Sequence, residues 1–141
     1  MPSRNAVFLD TSGWIAILNT DDALHEKASK CLLEFGVTGR PLVTTDWVLA
    51  ETGNGLARTA ARSRVALAIQ RFTESANCRL VRVEDKLFER AIALYDQMRD
   101  KTWGLVDCAS IAVMQDHGIS DALTSDRHFQ QAGFHCLLPT P

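Results

Sequence analysis

The chain alternates short apolar runs with longer amphipathic stretches, and the apolar runs end on acids. Ala6-Val7-Phe8-Leu9 has no polar alternation and stops at Asp10; a run buried on both faces predicts a central strand of a parallel sheet. Trp14 to Leu18 predicts a helix, and about Asp22 to Phe35 a second, with Leu24, Ala28, Cys31, Leu32 and Phe35 on one face. Leu42-Val43-Thr44-Thr45 predicts the second strand, followed by a helix capped by Asp46 and running through Glu51. Gly53 and Gly55 weaken that helix while permitting close backbone approach. A helix over 63–74, a strand over 79–83 and a helix over about 84–99 follow. Residues 101–105 read as a loop, with Asp107 near the start of a helix that Gly118 ends. Ala122-Leu123-Thr124 predicts a fourth strand ending at Ser125-Asp126, then a short helix through Gln131 and a last strand over 134–138.

Strands alternating with helices predict an α/β fold, with a mostly parallel central sheet flanked by helices on both faces. The length of 141 residues fits a single domain over 1–141. A hydrophobic fraction of 46% suffices for a core without disulfide or structural-metal staples. Cys31, Cys78, Cys108 and Cys136 lie far apart without zinc-finger spacing and read as small, mostly buried hydrophobes of a reduced, cytoplasmic protein. Residues 1–5 are polar, and no apolar run approaches the ~20 residues of a membrane span. A net charge of −2 gives no overall positive field, so any nucleic-acid contact must rest on a local basic patch.

In open parallel sheets ligands bind beyond the carboxyl ends of the strands. Asp10 and Asp126 sit at two such ends, and Asp107 near a helix start that can point the same way. Glu51 lies about one and a half turns into its helix, within reach of the strand ends. Taken singly, Asp10, Asp107 and Asp126 serve as readily as helix caps, and Glu51 as surface charge. Were they to converge, each like-charge pair at about 4 Å would cost on the order of 4 kcal/mol at an effective dielectric of 20. Such a cluster protonates or binds a cation, and oxygen ligands suit Mg²⁺ or Mn²⁺ better than zinc.

Four stretches carry a resemblance in order along nearly the whole chain: Val7-Phe8-Leu9-Asp10-Thr11-Ser12, Val48-Leu49-Ala50-Glu51-Thr52, Trp103 through Ser110, and Ala122 through Phe129. Together they resemble a PIN domain, among those the toxin nucleases of VapBC toxin–antitoxin pairs. The resemblance implies a metal-dependent endoribonuclease, with Asp10, Glu51, Asp107 and Asp126 as catalytic metal ligands for Mg²⁺ or Mn²⁺. Its hydroxyl positions fall on Thr11, Ser12 and Ser125. Gly104 and Val106 replace small hydroxyl residues frequent in the family, which puts in question one hydrogen bond near the third acid. The implied partners are an RNA substrate, a small VapB-like antitoxin and a second copy of the chain. The alternative is a catalytically inactive PIN-like interaction module, against which the complete acid set speaks.

Lys101 and Arg127 flank the acids and are the first candidates for phosphate contacts; Arg58, Arg62, Arg64 and Arg71 are the second. Trp14 and Trp47 read as core or interface, whereas Trp103, beside Asp107, is placed for a base contact. The apolar helices near Trp14 and Trp47 offer a surface for the antitoxin or a second copy. His25, His117, His128 and His135 show no paired spacing and read as surface or capping residues. Two rivals fail on particular residues. A haloacid-dehalogenase-type phosphatase needs a second acid where Ser12 stands, and a receiver domain needs a Lys absent from 134–138.

Overall fold

The computed structural model describes residues 5–141. The polar start over residues 1–4 lies outside them. The elements are β1 (Val7–Leu9), α1 (Thr11–Leu18), α2 (His25–Thr38), β2 (Leu42–Thr45), α3 (Asp46–Leu56), α4 (Arg62–Glu74), β3 (Cys78–Val81), α5 (Asp85–Gln97), α6 (Leu105–His117), β4 (Asp121–Leu123), α7 (Arg127–Gln131) and β5 (His135–Cys136). The strands form one sheet in the order β3-β2-β1-β4-β5, every pairing parallel. The α/β class with a parallel sheet is as the apolar runs predict.

Chain order in the sheet fixes where a ligand can enter. From β1 the chain runs outward through β2 to β3, then crosses back to β4 on the other side of β1. The chain leaving β1 toward β2 and the chain leaving β4 toward β5 therefore run to opposite sides, and a crevice opens between the carboxyl ends of β1 and β4. Leu9 is in register with Leu123, so the next residues along, Asp10 and Thr124, emerge side by side at its floor.

Val7, Phe8 and Leu9 are each at most 1% exposed although side chains alternate across a strand, so helices cover both faces. On one face Phe8 stacks against Phe129 of α7, ring centroids 6.3 Å apart. On the other, Leu9 faces Trp14, which is buried edge-on against Phe72 at 5.4 Å. The Trp14 indole donates to the Thr44 hydroxyl, which in turn donates to the Leu9 carbonyl at 2.8 Å. Trp14 is thus core, not interface, whereas Trp47 is half-buried edge-on to Phe88. Helix α6 is buried continuously from Cys108 to Met114, as befits a helix apolar all round. Among the described residues no helix is long and apolar enough to cross a membrane.

Two boundaries differ from expectation in an informative way. Thr45, not Asp46, caps α3, its hydroxyl accepting the Val48 N–H at 3.1 Å. The Asp46 carboxylate instead accepts the Val83 N–H at 2.9 Å, pinning the chain just past β3 to α3. The last strand shrinks to His135–Cys136, because beyond it Leu137 and Leu138 bond only singly to β4 and its extension. All four cysteines are free, as expected, but only Cys108 is fully buried.

Gly13 sets the distance between α1 and β4. A Cβ there would lie 2.2 Å from the Leu123 carbonyl oxygen, a backbone atom that cannot step aside. Gly13→Ala should therefore lower stability by at least about 1–3 kcal/mol, the ordinary cost of overpacking. Gly53→Ala, with nothing within 4 Å of its Cβ, should raise it by about 0.5–1 kcal/mol. Urea unfolding of both variants checks the pair; equal effects would mean α1 does not rest on β4.

Candidate metal centre

Asp10 leaves the end of β1 as the residue before α1 and is only 4% exposed. Its side chain caps no helix N–H. Its Oδ2 accepts the Thr124 hydroxyl at 2.8 Å, with the Ser12 hydroxyl at 3.4 Å. Thr124 is itself a hub: its oxygen accepts the Asp126 N–H at 3.0 Å and lies 3.0 Å from Ser12 Oγ. Ser12 Oγ accepts the Ser125 N–H at 2.9 Å. These bonds lock the start of α1 to the turn after β4. The hydroxyl bonded to Asp10 on this side is that of Thr124, a residue the sequence reading did not single out, while Ser125 gives its backbone N–H to Ser12.

Asp107 stands in the first turn of α6, where its Oδ2 accepts the Gly104 N–H at 3.0 Å. This is half a capping box, with the glycine supplying the backbone donor and no side chain. The absence of a hydroxyl at Gly104 therefore costs the third acid nothing, since the main chain makes the bond. Asp126 does cap α7, its Oδ1 accepting the His128 N–H at 2.9 Å. Glu51 approaches from the exposed face of α3, where the Thr11 hydroxyl donates to its Oε1 at 2.5 Å.

The tightest group is one the sequence reading did not foresee. His128 Nδ1 lies 2.9 Å from Asp107 Oδ2 and 3.2 Å from Asp126 Oδ1. One ligand atom from each of the three falls within 4.8 Å of the others. His128 was read as surface or cap; it is part of the acid cluster. The missed signal is an N-cap acid two residues before the histidine: the Asp126 side chain folds back over the first turn to the His128 N–H and so meets its ring. Asp10 sits deeper, and Glu51 is held by Thr11, the residue after Asp10, outside the tight group.

Electrostatics follow from this crowding. Burial pushes Asp10 from an ordinary 3.8 up to about 7, opposed by the Thr124 and Thr11 hydrogen bonds and reinforced by the charges of Asp107 and Asp126. Asp107 is also raised, again chiefly by burial and further by Asp126, against the pull of the Gly104 N–H and His128. Acids crowded and raised in this way are relieved either by a proton or by a cation. The donor types suit a divalent metal: the carboxylates of Asp107 and Asp126 with the imidazole of His128, and Asp10 near enough to feel both charges.

Surrounding residues divide plainly. Arg127 is exposed at the mouth of a cavity it shares with Ser125, Asp126 and His128, and makes no hydrogen bond or ion pair among the described residues. Lys101 pairs with Asp100 at 3.0 Å and lines a neighbouring hollow with Tyr95, Arg99 and Thr102. Trp103 is buried, its indole donating to Gln131 at 2.9 Å, and offers no face to a base. Arg62 and Arg64 donate to the carbonyls of Ala57 and Leu18, so the second arginine group is partly structural.

An all-parallel sheet with an acidic crevice at its switch point defines the class, an α/β protein with a candidate cation site. The chain belongs to the PIN domain family, whose profile matches residues 7–135. It is 33% identical to the 23S rRNA-specific endonuclease VapC20 of Mycobacterium tuberculosis, over 91% of this chain and 95% of that one. The crystal structure of that protein, described as a sarcin-ricin loop cleaving toxin, superposes with a TM-score of 0.78 at 32% identity, covering 92% of this chain and 96% of that one. FitAcB from Neisseria gonorrhoeae superposes with a TM-score of 0.64 at 16% identity over 92% and 95% of the two chains. DNA-bound VapBC from Salmonella typhimurium does so with 0.63 at 11% over 93% and 96%. These last two likenesses show the fold alone.

The raised Asp10 makes a pH prediction. In the metal-free chain between about pH 4 and 7, the unfolded state has released a proton that the native state keeps. Stability from this group is complete at lower pH, falls through that window and is flat above it, by at most roughly 4 kcal/mol. Urea midpoints should show wild type losing ground to Asp10→Asn as pH rises from about 4 to 7.5. A difference independent of pH would mean Asp10 ionises normally.

Proposed function

We propose that this chain is a metal-dependent endoribonuclease that hydrolyses RNA phosphodiester bonds, and that it is the toxin of a toxin–antitoxin pair. The observation that carries this is the convergence of Asp10, Asp107 and Asp126 at the switch point, with Glu51 facing them through Thr11. The kinship to a 23S rRNA-specific endonuclease over nearly the full chain supports RNA as substrate and makes that rRNA the first target to offer.

Asp10, Asp107, Asp126 and Glu51 would hold Mg²⁺ or Mn²⁺, which when bound supplies water activation and positive charge against the phosphoryl oxygens. Around it the chain's own groups do the positioning. Thr124 and Ser12 fix the Asp10 carboxylate, so that it needs no reorganisation when substrate arrives. Thr11 holds Glu51 toward the crevice. Arg127, unpaired at the mouth, takes a backbone phosphate, and Lys101 a second once it leaves Asp100. Each provides local positive charge that a chain of net charge −2 lacks as a whole.

The antitoxin partner rests on a separate feature. A cavity of about 280 Å³, lined by Ile17, Leu32, Ala68 and Phe72 with Arg71 beside them, opens among α1, α2 and α4. It suits an apolar side chain followed by an acid from a short partner segment. One domain over 1–141, a cytoplasmic location and a homodimer complete the reading.

Purified chain should cleave RNA containing the large-subunit rRNA in Mg²⁺ or Mn²⁺ and stop on chelation. Asp10→Asn should lower turnover by at least about 100-fold while remaining folded. Metal-independent cleavage, or full turnover in that variant, would overturn the mechanism. Separately, Arg127→Ala should weaken RNA binding and make the dependence of log affinity on log salt shallower by about 1. An unchanged slope would remove Arg127 from the phosphate path.

A further inference from the structure

The geometry points to a nitrogen ligand in the metal centre: we propose that His128 Nδ1 binds the ion together with Asp107 and Asp126, and that it selects Mn²⁺ over Mg²⁺. The inference rests on the metal-centre reading above and goes beyond it in naming a ligand and a preference outside the acid set.

Three observations carry it. First, the spacing is that of ligands sharing one ion. Donor atoms in adjacent positions of an octahedron at about 2.1 Å from the metal lie about 3 Å apart. His128 Nδ1 stands 2.9 Å from one carboxylate oxygen and 3.2 Å from the other. Second, the far nitrogen is held. His128 Nε2 lies 3.1 Å from the Thr102 hydroxyl, which can accept an N–H there once a cation takes the place of the Nδ1 proton that bonds Asp107 in the metal-free chain. A hydrogen bond on the outer nitrogen is how proteins fix the tautomer and the aim of a metal-binding histidine. Third, the ring does not float. The His128 N–H is tied to Asp126 Oδ1 at 2.9 Å, and its neighbour Phe129 is fully buried against Phe8. Little rearrangement separates this arrangement from a closed ligand shell.

The preference follows from ligand chemistry. Mg²⁺ keeps an oxygen shell and yields it reluctantly, whereas first-row transition ions gain from an imidazole. Asp107 and Asp126 alone do not distinguish the two ions in this way; adding His128 tilts the centre toward Mn²⁺. The other described histidines are occupied elsewhere or remote from the acids: His25 Nδ1 on the Ala16 carbonyl, His135 Nδ1 on Asp121, and His117 at the far end of α6.

The rival role is that His128 only donates a hydrogen bond to its acids. His128→Asn separates the two, because an asparagine amide places an N–H near the position of Nδ1 without an imidazole lone pair. The full chain is loaded with Mn²⁺ alone and examined by electron spin-echo envelope modulation, with Mn²⁺ and Mg²⁺ affinities measured by equilibrium dialysis. Wild type should show nitrogen modulation from a directly bound imidazole. The variant, shown to be folded by circular dichroism, should lose it, and the ratio of Mn²⁺ to Mg²⁺ affinity should fall at least about tenfold. Thr102→Val should lower Mn²⁺ affinity while leaving the nitrogen signal in place.

Bound Mn²⁺ without nitrogen modulation in wild type overturns the proposal even if His128→Asn fails to fold, and so does an unchanged ion ratio in a folded variant. Either result leaves the nuclease reading intact. Wild type that binds no Mn²⁺ at millimolar concentration overturns both.

Discussion

The bond from the Thr124 hydroxyl to the Asp10 carboxylate ties the two strands that flank the crevice, and the rest of the site is arranged around it. It is the side-chain continuation of the β1–β4 register: Leu9 pairs with Leu123, and the next residues along meet. Gly13 allows α1 to lie against the β4 backbone. Only then can Ser12 reach the Ser125 N–H, and only then does the turn after β4 aim Asp126 and His128 at the first turn of α6. One missing side chain and one hydroxyl convert a sheet register into a set of converging ligands.

That arrangement runs against stability in the absence of a cation. Asp10 is buried at the sheet end with hydrogen bonds that satisfy it only in part, and two more acids lie close enough to raise it further. A protein selected for stability alone would place Asn or Ser there. A bound dication, as proposed, would reverse the sign of the interaction: the burial that opposes an ionised Asp10 would strengthen its attraction to a metal. The local hydrogen bonds then serve to aim the carboxylates rather than to neutralise them.

Much of this was legible in the residues. The apolar runs located the central strands because burial on both faces leaves no alternation; Asp10 and Asp126 stood out at strand ends, and Glu51 and Asp107 by the family's order. What the sequence did not reveal shares one cause, namely contacts made between elements rather than along them. Thr124 is an ordinary strand residue until the parallel register sets it beside Asp10. His128 looks like a surface histidine until α6 brings Asp107 to within 2.9 Å of it. Trp103, adjacent to Asp107 in sequence, turns inward to Gln131, so nearness along the chain misled there. Asp46 likewise resembles a cap but braces the segment after β3, because Thr45 has already capped the helix.

The charge balance, which argued weakly against a nucleic-acid enzyme, has a local resolution. Most arginines here are spent on structure: Arg40 holds Asp121 at 2.8 Å, Arg90 binds Asp116, and Arg64 closes on the Leu18 carbonyl. Arg127, next to a proposed ligand and exposed, is left unpaired among the described residues. A diffuse positive surface would attract polyanions everywhere; a free guanidinium beside the partly buried acid group would favour a phosphate at that one place. Overall negative charge would then weaken nonspecific RNA binding, which scales with the number of phosphates neutralised, while sparing the phosphate contact proposed for Arg127. Net charge is therefore a poor guide to this activity, and the distribution of unpaired charge around the crevice is the informative quantity.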